Sequence, residues 1–315
     1  MTAGRLVDTA TRLVAHNNVV YPVSPLIVIA ALMALLPYLA AGFFPARFFA
    51  WVRALPAAVR LALPSLLCIP YVLVMVDRGR FSVQWLILYA ALPVAMAATM
   101  AFSGVLGKGR GYWLELLVLV VLGLSVDLRW FERAWPAHLS IFNKVLLLDA
   151  GIYAFTGIRN LEGVGFDLRV RVRDVLVGLR EFVFYFPFAL GLGLALGFLH
   201  VHPWGSGIAP VLLKFASAWV FTFFFIAVPE ELFFRGWLQN LLERHLGRGR
   251  ALVVVAILFG LSHFNKRAVF FNWRYVLLAA IAGIFYGRAW RSQRRVAASS
   301  ITHATIDSVW SLWFR

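Results

Sequence analysis

Read for hydrophobic and polar positions, the chain is a succession of long apolar runs separated by short polar breaks. A helix that crosses a bilayer needs about 20 mainly apolar residues. Residues 23–44, 57–76, 83–102 and 112–126 read as four such helices, and residues 182–199, 208–238, 251–263, 275–290 and 296–314 as five more. Residues 140–158 are interrupted by Lys144 and Asp149. That stretch reads either as a span whose charges face the bundle or as a helix lying in the interface. Arg5 and Arg12 precede the first run, which is longer than the apolar core of a signal peptide, so an uncleaved first span is expected. The pattern predicts an all-α, polytopic integral membrane bundle of nine or ten transmembrane helices.

The main polar interruption, residues 157–180, carries five arginines beside Glu162, Asp167 and Asp174. Its alternating Leu168-Arg169-Val170-Arg171-Val172-Arg173 reads as an extended or interfacial element against anionic headgroups, and equally as a solvated linker. It divides the chain into N-terminal transmembrane helices of unassigned role (1–158), a basic interfacial linker (159–180) and a C-terminal transmembrane domain (181–315). Gly193 and Gly197 form a small-xxx-small pair, which lets two helices approach closely. Basic residues gather at 169–180, 244–250 and 288–295, whereas the loop at 201–211 has no Lys or Arg. The excess of Lys and Arg on cytoplasmic loops places the first three inside and the last outside. Lys266, Arg267 and Arg274 run against that scheme.

Composition removes the soluble alternatives. Of 315 residues, 62% are hydrophobic and 14% charged, against roughly 45–50% and 25% in a soluble domain. The surplus has to face lipid, which excludes a cytosolic enzyme, a disulfide-stapled secreted domain and a disordered chain. The formal net charge of +16 lies mostly between apolar runs, where it meets anionic lipid headgroups. No basic stripe interleaved with aromatics lies outside the spans, so nucleic acid is not an expected partner. Cys68 is the only cysteine, which rules out an intrachain disulfide and a cysteine-based zinc site.

Candidate chemistry is concentrated in the C-terminal half. Ionisable side chains inside a bilayer cost about 2.5–3.5 kcal/mol each on the insertion scale, so their presence needs a reason. Residues 221–238 read FTFFFIAVPEELFFRGWL, an aromatic run broken by Glu230, Glu231 and Arg235. Glu231 and Arg235 are four apart and share a helix face, where they can pair. Glu230, about 100° away, is left out of that pair. Phe259 shares a face with His263, and His303 with Asp307. With a rise of about 1.5 Å per residue, Glu230 and His263 come out roughly 20 Å from the basic ends of their helices and His303 roughly 10 Å. The expectation is a meeting in the half of the bilayer nearest the basic loops. Each motif alone fits a packed, satisfied side chain; together they make a water-activating site the simplest explanation.

In order and spacing, Glu230-Glu231-x-x-x-Arg235, Phe259-x-x-x-His263 and His303-x-x-x-Asp307 resemble the three motifs of the CAAX-protease and bacteriocin-processing family. These are intramembrane endopeptidases that include the type II CAAX prenyl endopeptidases, and the resemblance covers roughly residues 180–315. It implies Glu230 as the general base that activates water and His263 as its holder. His303 and Asp307 are implied to stabilise the oxyanion or to complete a metal site, and Glu231, Arg235 and Phe259 to support the motif helix. Many relatives have Asn where this chain has Asp307, and an ionised carboxylate cannot donate to an oxyanion. Asp307 is then protonated, or orients His303, or helps bind a cation. A divalent metal such as Zn²⁺ at Glu230, His263 and His303 and a metal-free glutamate mechanism are equally open.

The implied activity is hydrolysis of a peptide bond in a membrane-associated peptide or protein, prenylated or leader-bearing, in the cytoplasmic (inner) membrane of a bacterium. No HExxH and no Gly-x-Ser-x-Gly elbow offers another hydrolase site. Two other classes use the same residues. A proton- or cation-coupled transporter could carry charge along the buried Glu/His/Asp cluster, with Pro229 kinking its helix. A non-proteolytic scaffold would keep the cluster for packing alone. Glu115 reads as structural or interfacial, Asp77, Asp127 and Asp149 lie at or near span ends, and His200 and His202 read as solvated.

Overall fold

The computed structural model describes residues 23–201, 207–264 and 271–314. Arg5, Arg12, His202, Lys266 and Arg267 fall outside the described residues. The chain is an all-helical membrane bundle, with no strand among the described residues beyond a single bridge between Val201 and Phe314.

Ser24 caps α1 (Pro25–Phe43) by accepting from the Ile27 amide, with Pro25 pre-set in the first turn. A short α2 (Pro45–Ala54) follows. Then come α3 (Ala57–Arg78), α4 (Val83–Gly107), α5 (Gly109–Asp127) and α6 (Ala137–Ile158). The ambiguous stretch is thus a membrane-length helix, and an enclosed one: 72% of its apolar window is buried. Asp149 faces the interior and Lys144 is exposed.

The C-terminal half contains α7 (Val172–Ala195), α8 (208–246), α9 (248–261), α10 (Trp273–Gln293) and α11 (Val296–Trp313). Gly247 separates α8 from α9 with a φ of 74°, a left-handed value that suits glycine. Among the described residues, seven helical stretches are long and apolar enough to cross a membrane, the 208–261 stretch counting as one. Neither α10 nor α11 is among them, because each carries many polar side chains. Twelve of the eighteen residues of α11 are buried, and it packs against α7, α8 and α10. A helix sheathed by protein has no need of a lipophilic surface.

One of two open readings is removed and one expectation is corrected. The 159–180 segment is not a solvated linker: α7 already begins at Val172, and Val164, Phe166 and Leu168 are buried. The Leu168 amide donates to Gly42 O and the Val296 amide to Gly165 O. At Gly165, with φ +72°, a Cβ would come 2.0 Å from Arg294 O, so only glycine lets the strand-like segment pass. Arg295 staples it further, donating to Asp174 (2.9 Å), Asp167 (3.0 Å) and Arg169 O (2.7 Å). Nor do Gly193 and Gly197 join two helices. Gly197 adopts φ +61° just past the end of α7, and Gly193 O accepts from Phe198 and Leu199. The pair terminates a helix, in the manner of a Schellman turn.

The two halves share one apolar core. Phe155 of α6 stacks on Trp237 of α8 (5.1 Å), and the Tyr38 hydroxyl donates to Phe224 O at 3.0 Å. Across this contact α8 is not a regular α-helix. Residues Phe223–Ala227 and Leu232–Gln239 form π-helical turns on either side of Val228–Glu231. Such widened turns concentrate at functional sites, and here they accommodate Pro229, which has no amide to donate.

Candidate active site

Glu231 and Arg235 form the expected i,i+4 pair at 2.9 Å, both wholly enclosed. Arg235 also donates to Gly283 O on α10 (3.1 Å) and lies over the rings of Phe259 (4.5 Å) and Tyr286 (5.1 Å). The same Glu231 oxygen stands 2.9 Å from Nδ1 of His303. A carboxylate paired with the Arg235 guanidinium accepts, so Nδ1 of His303 donates. Its Nε2 points the other way, 3.4 Å from Asp307 and 3.9 Å from Glu230.

The two adjacent glutamates therefore differ in situation. Glu231 is 0% exposed and engaged by α11 and by Arg235, whereas the Glu230 side chain keeps 29% of its surface. Phe259 joins the third motif to them. Its ring meets His303 edge-on at 5.8 Å and lies 4.9 Å from His263. His263 Nδ1 is 2.8 Å from Phe259 O, a carbonyl that can only accept, so that nitrogen carries a proton, and in the neutral ring the acceptor is Nε2.

His263, His303 and Asp307 line one cavity of about 560 Å³, within the usual range for a ligand site. Glu230 stands beside it through its approach to His303. The three motifs thus converge, and the difference in their depths along the helices does not separate them. The cavity does not stay near the basic loops, however. From His303 it runs along α11 past Trp310 and Ser311 to Phe314, toward the far end of the bundle. Asp307, with 39% of its side chain exposed, flanks His303 rather than filling a buried pocket. Its Oδ2 lies 3.4 Å from His303 Nε2, the contact that an orienting role would use.

Several wall residues carried no motif. Tyr286 stacks on His303 at 4.6 Å and 13°, and Tyr275 meets His263 edge-on at 4.8 Å. Tyr185 of α7 donates to Leu278 O and lines the same cavity. A signal for the first two was present: Tyr275, Ala279, Ala282 and Tyr286 recur at i, i+4, i+7 and i+11, one helix stripe with small residues between two rings. All four line the cavity.

Other candidates lie elsewhere. Glu115 is buried and paired with Arg159, a structural role as expected. Asp77 pairs with Arg78, and His200 is exposed. Among the described residues, no three His, Cys, Asp or Glu side chains gather into a group that could hold a metal ion. Glu230, His263 and His303 are not drawn together into such a group.

Residues 212–309 match the family model described as type II CAAX prenyl endopeptidase Rce1-like. The match encloses Glu230, Glu231, Arg235, Phe259, His263, His303 and Asp307. No curated protein and no solved structure matches the chain. Over the segment that supplies the three motifs, about a third of the chain, this membrane protein is similar to the type II CAAX prenyl endopeptidases that the model describes.

Proposed function

We propose that the protein is an intramembrane endopeptidase that hydrolyses a peptide bond of a membrane-associated substrate by attack of a water activated by Glu230. The observation that carries this reading is the division of labour between neighbouring carboxylates. Glu231 is sealed between Arg235 and His303, while Glu230 remains accessible, 3.9 Å from His303 Nε2 and beside a cavity large enough for a peptide segment.

In the proposed sequence the water donates one hydrogen bond to Glu230 and another to the lone pair of His263 Nε2. Glu230 takes a proton as the water oxygen bonds to the scissile carbonyl carbon, whose oxygen receives the π electron pair. His303 shares its Nε2 proton between that oxyanion and the Asp307 carboxylate 3.4 Å away, which keeps the ring in register. Collapse of the intermediate breaks the C–N bond, and Glu230 returns its proton to the leaving amine. Prenylated termini and leader-bearing peptides are the substrate classes that the family suggests, and anionic headgroups the lipid partners that the exposed arginines suit. The bacterial inner membrane is the setting proposed for it.

The test is cleavage in liposomes of a mixed library of lipidated and transmembrane peptides, carried out in isotopically heavy water. A new C-terminal carboxyl that carries heavy oxygen, formed by the intact protein and not by Glu230→Gln, supports hydrolysis. Peptides left whole by active-folded protein across the library would contradict it.

A further inference from the structure

We infer that Tyr38, in the N-terminal half, is a positioning residue for Glu230. Its hydroxyl stands in for the amide that Pro229 lacks and holds the turn that carries the glutamate. The inference rests on the proposed role of Glu230, but the contact behind it is independent of the chemistry.

The backbone hydrogen bonds of α8 lead to it. A π-helix pairs each amide with the carbonyl five residues back, and the Val228 amide accordingly reaches Phe223 O. In that register the next carbonyl, Phe224 O, would accept from residue 229. Residue 229 is proline and has no amide to offer. A carbonyl left over inside a bilayer is costly, because no water is there to satisfy it. Phe224 O is instead reached at 3.0 Å by the Tyr38 hydroxyl of α1, 186 residues earlier in the chain.

Tyr38 is itself held in place. Only 2% of its surface is exposed, and its ring stacks on Phe166 at 6.0 Å and 21°. Phe166 belongs to the extended segment pinned by the Leu168 amide to Gly42 O and by the Val296 amide to Gly165 O. The hydroxyl is therefore offered from a packed ring. Toward α11, Trp219 stacks on Phe223 at 5.2 Å and donates to the Thr305 hydroxyl at 3.0 Å. The π-turn is gripped from the N-terminal half at Phe224 and from α11 through Trp219.

This turn leads straight into the site. Val228–Glu231 follows it directly, with Ala227 and Val228 wholly buried. Thr222 and Ile226 line the cavity together with His303. Glu230 and Glu231 ride on the same backbone, and Glu231 is tied beyond it to Arg235 and His303. Without the Tyr38 bond the turn can slip toward ordinary α-helical pairing, which rotates Glu230 relative to His303. A displacement of about 1 Å in a reacting group costs about 100-fold in rate, so a partial slip is expected to cost about tenfold. Tyr38 lies outside residues 212–309, the segment that the family model matches. The N-terminal half thus supplies a part that the motif-bearing segment does not contain.

The experiment is a double-mutant cycle in the full chain in liposomes: intact, Tyr38→Phe, Pro229→Ala and both together. Tyr38→Phe deletes one hydroxyl and keeps the ring. Pro229→Ala gives residue 229 the amide with which Phe224 O can close its own bond. For cleavage of a membrane peptide, Tyr38→Phe is expected to lower kcat about tenfold with KM changed by less than about twofold. The same change made in the Pro229→Ala chain is expected to alter kcat by less than about twofold. An equal loss in both backgrounds is what general loosening of the bundle produces, and it overturns the inference. A change in KM alone, or no loss at all, overturns it too. The unfolding midpoint, measured without substrate, runs the same cycle: Tyr38→Phe is expected to lower it by about 2 °C in the Pro229 chain and not in the Pro229→Ala chain. This arm needs no turnover, so a protein that cleaves nothing still tests Tyr38, and a failed cycle in a protein that cleaves leaves hydrolysis standing. Should Tyr38→Phe not fold, the double variant is expected to fold, and its failure to do so overturns the inference.

Discussion

One oxygen of Glu231 lies 2.9 Å from Arg235 and 2.9 Å from His303 Nδ1, which locks the histidine of the last helix onto the ion pair of α8. The contact gives two adjacent glutamates separate tasks. Glu231 fixes the orientation of His303, and Glu230, more exposed and 3.9 Å from His303 Nε2, is the one that the proposed mechanism sets against the reacting atoms.

Arg235→Leu should destabilise the protein by about 3–5 kcal/mol, because it leaves a buried carboxylate uncompensated. Glu230→Gln, at a partly exposed site, should change stability by no more than about 0.5 kcal/mol. Denaturant unfolding in detergent micelles measures both. Equal stability of the two variants would show that the Glu231–Arg235 pair holds nothing together.

Asp307→Ala should lower turnover without abolishing it. An orienting carboxylate buried in a catalytic triad is worth about 10⁴-fold, but Asp307 is 39% exposed and 3.4 Å from Nε2. A loss of about 10–100-fold is expected on that scale, with KM little changed. A loss as deep as that of Glu230→Gln would give Asp307 a direct part in the chemistry.

The joint around Arg295 should show in acid. Burial pushes the Asp167 carboxyl up, but hydrogen bonds from Arg169 and Arg295 outweigh it and hold the group down at about 2. Its folded value lies below the ordinary 3.8, so its contribution to stability is complete above that pH and is lost as pH falls through about 2. Arg295→Met should move that loss to higher pH. Amide exchange across residues 165–174, followed from neutral pH downward, measures it, and an unmoved acid limb would contradict the role given to Arg295.

Most of the architecture was legible because a lipid environment leaves few solutions. Runs of about 20 apolar residues in a bilayer must be helices, and each run read from the sequence coincides with one. The paired Glu231 and Arg235 followed from helix spacing alone. The link from Glu231 to His303 did not, since it joins helices 72 residues apart and depends on how α8 packs on α11. Gly193 and Gly197 show the limit of a motif: small residues four apart fit a helix crossing and a helix end equally well. For the 159–171 segment the sequence left an extended element and a solvated linker equally open, because its arginines advertise solvent while its alternate apolar residues Val164, Phe166 and Leu168 fill the core. The aromatic stripe of α10 was visible at helical spacing, but nothing distinguished cavity wall from ordinary packing until His303 was placed against Tyr286.

The central claim is that Glu230, and not its neighbour, activates the water. The most direct measurement is single-turnover cleavage of one identified membrane peptide in liposomes by the intact protein and by Glu230→Gln, each shown to be folded by its unfolding transition. A fall of about 10²–10⁴-fold in the rate of the chemical step is expected on loss of the general base, with substrate binding retained. Cleavage by Glu230→Gln at the rate of the intact protein would contradict it.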